Sequence, residues 1–260
     1  MAIESHPDEF LFKEGVREGL RRLRATPRVS ACGFVTAWQR ARARGEVSVP
    51  RADVLFFETA TPGVFIVNTS RIQGLDATDP VQVSRAEMIG RRQCREIFAF
   101  LKEHGAGFED AIRMDTAAHV GVRESRHVTA LYVLRADDVL NETAFEDPVA
   151  LGGYPIDIHS PDGADTDSTH LRSDTAYQIP MRSLIATRPD NLTLVGRLIG
   201  ATHEAAAAFR VTPIAMAIGQ AGGTMAALAA RSRTDPRRLP YDAVAKALLE
   251  NGALLSKRQP

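Results

Sequence analysis

A few residues in this chain have the types and spacing to do chemistry, and they fall in its second half. His203 can act as an acid or base near neutral pH, or serve structure alone. It opens an alanine run that ends before Arg210. Arg123 and Arg126 flank Glu124 in GVRESRHV. Two guanidinium groups so close can clamp a carboxylate or polar substrate bidentately, or join the glutamate in an internal ion-pair network. His159 closes the alternating run PIDIH and, with Asp157, can line the substrate side of a long loop. Ser125 and Ser183 lack the strand–turn–helix context of an activated nucleophile, so hydrolase chemistry has little support. His159 with Asp162, Asp165 and Asp167 does not have metal-ligand spacing, and a solvated acidic loop is the expectation there; no metal is expected.

The elements that must position these residues are short and mixed. Residues 8–25 and 29–44 read as arginine-rich amphipathic helices with solvated faces. VLFFET (54–59) and GVFIVNTSRI (63–72) read as strands. Ser84 with Glu87 three residues on predicts a capped helix start, and Gly105 its stop. HVTALYVL (127–134) reads as a strand, Ala136–Leu140 as a short helix, and 141–180 as one long loop. NLTLV (191–195) reads as a strand ending at Gly196-Arg197, where glycine permits close backbone approach. Thr212-Pro213 then starts a helix, Thr as N-cap and Pro at the first position. That helix start offers free N–H groups and a positive dipole end to an anionic ligand. Gly219, Gly222 and Gly223 sit inside the helix, each costing about 1 kcal/mol relative to Ala. Tight helix–sheet packing is the expected reason. YDAVAKALLENG predicts a last helix. The layout is mixed α and β.

Bulk composition narrows the function classes. Lys+Arg and Asp+Glu are both 32, so the formal charge is zero, which argues against a dedicated nucleic-acid binder. Cys32 and Cys94 form no spaced pair, so neither a disulfide scaffold nor a zinc site is indicated, and a reducing cytoplasm is the expected location. The N-terminus MAIESHPDEF lacks the basic-then-apolar order of a secretion signal. Val211–Ala230 carries no charge, but it is rich in Ala and Gly and holds Gln220; a buried soluble helix is expected rather than a membrane span.

NLTLVGRLIGATHEAAAAFRVTPIAMAIGQAGGTMAALAA resembles the C-terminal flavin-contacting segment of the FAD-dependent oxidoreductase family. VNTSRIQGLDATDP (67–80), AEMIGRRQ (86–93), GVRESRHV (121–128) and GGYPIDIH (152–159) resemble further motifs of that family, in order. The resemblance spans roughly residues 50 to 230. It implies that Gly196 and Arg197 lie beside the ribityl or pyrophosphate part of FAD. It also implies that Val211, Thr212 and Pro213 approach the flavin pyrimidine edge, where a helix dipole favours the negative charge of reduced flavin. The run from His203 to Arg210 would cross the flavin. His203, Arg210 and Arg123 are then the candidate catalytic residues, with Arg126 and His159 on the substrate side.

The sequence departs from the family at Phe209, at Gly223 and, above all, in having no Gly-x-Gly-x-x-Gly, the motif that holds the ADP half of FAD. The expectation is therefore an incomplete two-dinucleotide-fold-type flavoprotein of α/β (mixed α and β) class. Its parts would be an N-terminal helical segment (1–50), a substrate or cap-like region (51–190) and a C-terminal strand–helix flavin segment (191–260). Such a chain would be one subunit of a cytoplasmic hetero-oligomeric oxidoreductase. It would share FAD with a partner that carries the dinucleotide-binding domain, and act on a small polar or anionic substrate. Neither nucleic acid nor membrane is an expected partner. The alternative is a non-catalytic binding or regulatory module, or a fragment, derived from such an enzyme.

Overall fold

The computed structural model describes residues 2–12, 14–159, 166–169, 171 and 176–256. The chain divides into two compact units, one built up to Gly121 and the other from Val122 onward.

The first unit holds helices α1 (Ala2–Ser5), α2 (Val16–Ala25), α3 (Val35–Ala43) and α4 (Pro80–His104), with strands β1 (Ser30–Gly33), β2 (Val54–Glu58) and β3 (Phe65–Val67). The strands form one antiparallel sheet in chain order. Its core is aromatic: Trp38 meets Phe100 edge-on at 4.8 Å, and Phe34 stacks on Phe56 at 6.0 Å between ring centroids. The expected helix over 29–44 is instead a strand followed by a helix, because β1 pairs along β2. The expected strand over 63–72 shortens to β3. Helix α2 buries no side chain, and Glu18 reaches Arg21 and Arg22 across one turn, as a solvated face should.

Helix α4 starts four residues before the predicted cap. Asp79 caps it by accepting from Val81 N at 2.9 Å, and Pro80 takes the first position. Ser84 lies inside the helix and donates to Pro80 O. Glu87 likewise does no capping; it accepts from Val120 N and lies near Arg91. Gly105 ends the helix as predicted.

The second unit holds α5 (Ala136–Leu140), β4 (Pro148–Gly152), β5 (Ile156–His159), β6 (Thr166–Thr169), β7 (Tyr177–Pro180), α6 (His203–Phe209), α7 (Thr212–Ser232) and α8 (Tyr241–Glu250). The predicted loop over 141–180 is thus built of strands, pairing β4 with β7 and β5 with β6, both antiparallel. The predicted strands over 127–134 and 191–195 do not form. They make only isolated bridges, Ala130 to Ala186, Leu134 to Ala201 and Thr193 to Ile185. The close approach is enforced at Gly200, where a Cβ would lie 2.4 Å from Ala130 Cβ and 2.6 Å from Tyr132 O.

Helix α7 lies against β4 and α8 and buries Ile214, Ile218, Ala221, Met225 and Ala229, one helical face. Among the described residues it is long and apolar enough to cross a membrane by length and composition, but this face belongs to the protein core. Its glycines divide. A Cβ on Gly222 would lie 2.3 Å from Val195 Cγ1 and 3.3 Å from Leu194 O, whereas Gly219 and Gly223 face open space. Tight packing explains one of the three glycines.

Candidate functional site

The candidate residues gather in the second unit around α6. Thr202 caps this helix, its hydroxyl accepting from Ala205 N. Ala205 to Phe209 are buried, so the helix is pinned along its length. His203 stands at its start and Arg210 caps its end. At 1.5 Å per residue they are about 10 Å apart along the axis.

At the Arg210 end, α6 packs on β5. Arg210 Nη2 donates to Asp157 Oδ2 at 2.7 Å and to the Asp157 carbonyl at 3.1 Å. Both side chains are 14% exposed, so the pair is largely shielded from water. Arg123 Nη1 lies 3.9 Å from the same carboxylate oxygen, on a side chain 45% exposed. Tyr154 donates its hydroxyl to Asp157 at 3.3 Å. Burial, then the Asp157 charge, raises the Tyr154 phenol above its ordinary value, with Arg210 opposing.

At the His203 end, Glu124 Oε2 lies 2.6 Å from His203 Nδ1 and Oε1 lies 2.7 Å from His127 Nε2. Arg123 and Glu124 are consecutive, so one short segment reaches both ends of α6. That segment is tied down by Arg197, whose guanidinium donates to the carbonyls of Val122 and Arg123.

Gly196 and Arg197 lie in a single 3₁₀ turn, Gly196–Leu198, rather than at a strand end. Gly196 has φ +60° and nothing within 4 Å of a Cβ position, an open backbone only glycine adopts easily. The turn packs on α7. Val211 is the N-cap of α7, one residue earlier than predicted, with Thr212 and Pro213 exposed in its first turn. The first bond of the helix runs from Ala215 N to Val211 O, so Thr212 and Ile214 N–H have no partner within the helix. Met216 in its second turn is 69% exposed, Val195 and Leu198 are exposed in part, and Val195 lies against Gly222 farther along the helix.

The predicted residues therefore form separate groups: Arg210 with Arg123, His203 with Glu124, Gly196 and Arg197 in the turn that packs on α7 near Gly222, and Val211, Thr212 and Pro213 at the start of that helix. Arg126 is exposed. His159 ends β5, its backbone paired with Thr166, and its side chain lies outside the described residues, as do Asp162 and Asp165 and the side chain of Asp167. Sequence reasoning missed His127 and Tyr154, and it read Glu124 and Asp157 only as neighbours of better candidates. The i, i+3 spacing of Glu124 and His127 was the available signal, and it is a weak one.

The open backbone at Gly196 leaves room for a ligand to approach, and the N–H groups at the α7 start that have no partner within the helix suit an anionic one. A family model described as FAD dependent oxidoreductase matches residues 10–248. The match takes in the N-terminal elements that the individual motifs left out. Neither the curated proteins nor the solved structures returned a match. With nearly the whole chain matched, this protein belongs to the FAD-dependent oxidoreductase family, and FAD is the cofactor that membership implies.

Proposed function

We propose that the chain is one subunit of a split FAD-dependent oxidoreductase, supplying the substrate-side region and the flavin-edge contacts. A partner chain would supply the Rossmann-type half, in the cytoplasm. One observation carries this reading. Helix α7 leaves Met216, Gly219 and Gly223 uncovered beside exposed Val195 and Leu198, an uncharged surface next to Gly196. The sequence has no Gly-x-Gly-x-x-Gly of its own to hold the adenosine half of FAD.

FAD, when bound, would supply the two-electron redox chemistry. The chain's residues do the rest. Gly196 lets the cofactor approach the backbone, and Arg197 fixes the turn beside it. Val211, Thr212 and Pro213 present the positive end of α7 to the reduced flavin. Arg123, held by Asp157 yet half exposed, orients a small polar or anionic substrate, and Arg126 and His159 are the further candidates for binding it. Arg210 locks Asp157, and through it Arg123, in place. His203, 62% exposed, carries the proton.

The second reading is a non-catalytic binding or regulatory module or a fragment. It is favoured by the ion pairs Arg210–Asp157 and Glu124–His203, which satisfy one another without any ligand. Sedimentation of the chain with candidate Rossmann-type chains from the same genome separates the two. The split-enzyme reading expects a complex that the exposed-face variant Met216→Glu abolishes and that turns over substrate with flavin. A complex without flavin-dependent turnover supports the module. No complex with any such chain contradicts both the partner and the shared cofactor.

A further inference from the structure

Glu124 is held between two imidazoles, and that arrangement fixes where their protons are. Its Oε2 is 2.6 Å from His203 Nδ1, and its Oε1 is 2.7 Å from His127 Nε2. An ionised carboxylate only accepts hydrogen bonds, so each facing nitrogen carries the N–H. Neutral His203 is then the Nδ1–H tautomer, with its lone pair on Nε2, and the ring is 62% exposed. Neutral His127 is the Nε2–H tautomer. Its other nitrogen, Nδ1, is buried and has no hydrogen-bond partner among the described residues.

We propose that Glu124 is the positioning residue for His203 and that His127 is its brace. The pair presents the Nε2 lone pair of His203 outward, to take a proton from an O–H or N–H of the substrate. That proton moves from the substrate heteroatom to Nε2, the ring becomes an imidazolium, and the Nδ1 proton stays in its bond to Glu124. The substrate class is accordingly an alcohol or amine at the carbon that is oxidised. The role of His203 as proton carrier rests on the oxidoreductase reading above; the tautomers do not.

Long-range ¹H–¹⁵N spectra of the histidine rings in the intact chain test the arrangement directly, with His203→Asn and His127→Asn used for assignment. The expected wild-type result is an Nδ1–H tautomer for neutral His203 and Nε2–H for neutral His127. In Glu124→Gln the amide has one accepting oxygen and one donating NH₂, so one of the two rings must change tautomer. In Glu124→Ala His203 should shift to the Nε2–H form that histidine prefers in water. An Nε2–H His203 in the wild type, or identical ring spectra in wild type and both variants, overturns the proposal. If neither variant folds, the wild-type tautomers alone decide. A co-purified complex that stays colourless, with Nδ1–H His203, would sink the flavin reading and keep the clamp; a yellow complex with Nε2–H His203 would do the reverse.

Discussion

Arg210 bonds Asp157 twice, through the carboxylate at 2.7 Å and the backbone carbonyl at 3.1 Å, and so fastens the end of α6 to β5. Both side chains are mostly buried, so removing one leaves the other as a poorly solvated charge. Arg210→Ala is expected to cost about 3 kcal/mol in urea denaturation. The double variant with Asp157→Ala should recover part of that loss, giving a coupling of roughly 1 to 3 kcal/mol. Simple additivity of the two single losses would show that the pair contributes nothing beyond its separate residues.

The glycines of α7 should respond in opposite directions. Gly222→Ala forces a Cβ against Val195 and the Leu194 carbonyl and should lower the melting temperature. Gly223→Ala meets nothing and removes backbone freedom from the unfolded chain, so it should stabilise by about 0.5 to 1 kcal/mol. In the split-enzyme reading the same Gly223→Ala weakens association with the partner. Equal effects of the two substitutions on melting would contradict the packing described for Gly222.

All four tyrosines, Tyr132, Tyr154, Tyr177 and Tyr241, have their phenols raised above the ordinary value of 10.0, burial being the first cause in each. A raised folded-state value means that the unfolded chain ionises first. The stabilisation is fully present below pH of about 10 and is lost as pH rises through the folded values. Ultraviolet titration should therefore show little tyrosinate at pH 10 and a steep rise that coincides with alkaline unfolding. A smooth titration centred on the ordinary value in folded protein would contradict the burial.

Much of this was legible in the sequence where local chemistry decides the outcome. The helices at α5, α7 and α8 and the stop at Gly105 follow from period, Pro and Gly. What was not legible depended on distant partners. HVTALYVL has a strand's composition, but Gly200 brings residues 198–201 against it and leaves only isolated bridges. The polar run after Asn141 reads as loop, yet β4 and β5 form there because β7 and β6 supply their ladders. Asp79 outcompetes Ser84 as a cap because Pro80 can occupy the first helical position and Ser84 then falls inside. At the site, His203, Arg210 and Arg123 were readable as chemical types. The pairing of Glu124 with His203 crosses a long sequence separation and has no local signature, and its pairing with His127 has only the weak i, i+3 spacing.

The most direct test of the central claim is a near-ultraviolet and visible absorption spectrum of the purified chain, alone and co-expressed with the product of the neighbouring gene. The account predicts flavin bands in the co-purified complex and none in the isolated chain. Flavin bands in the isolated chain would contradict the sharing of FAD with a partner, and their absence from both samples would contradict the split flavoenzyme itself.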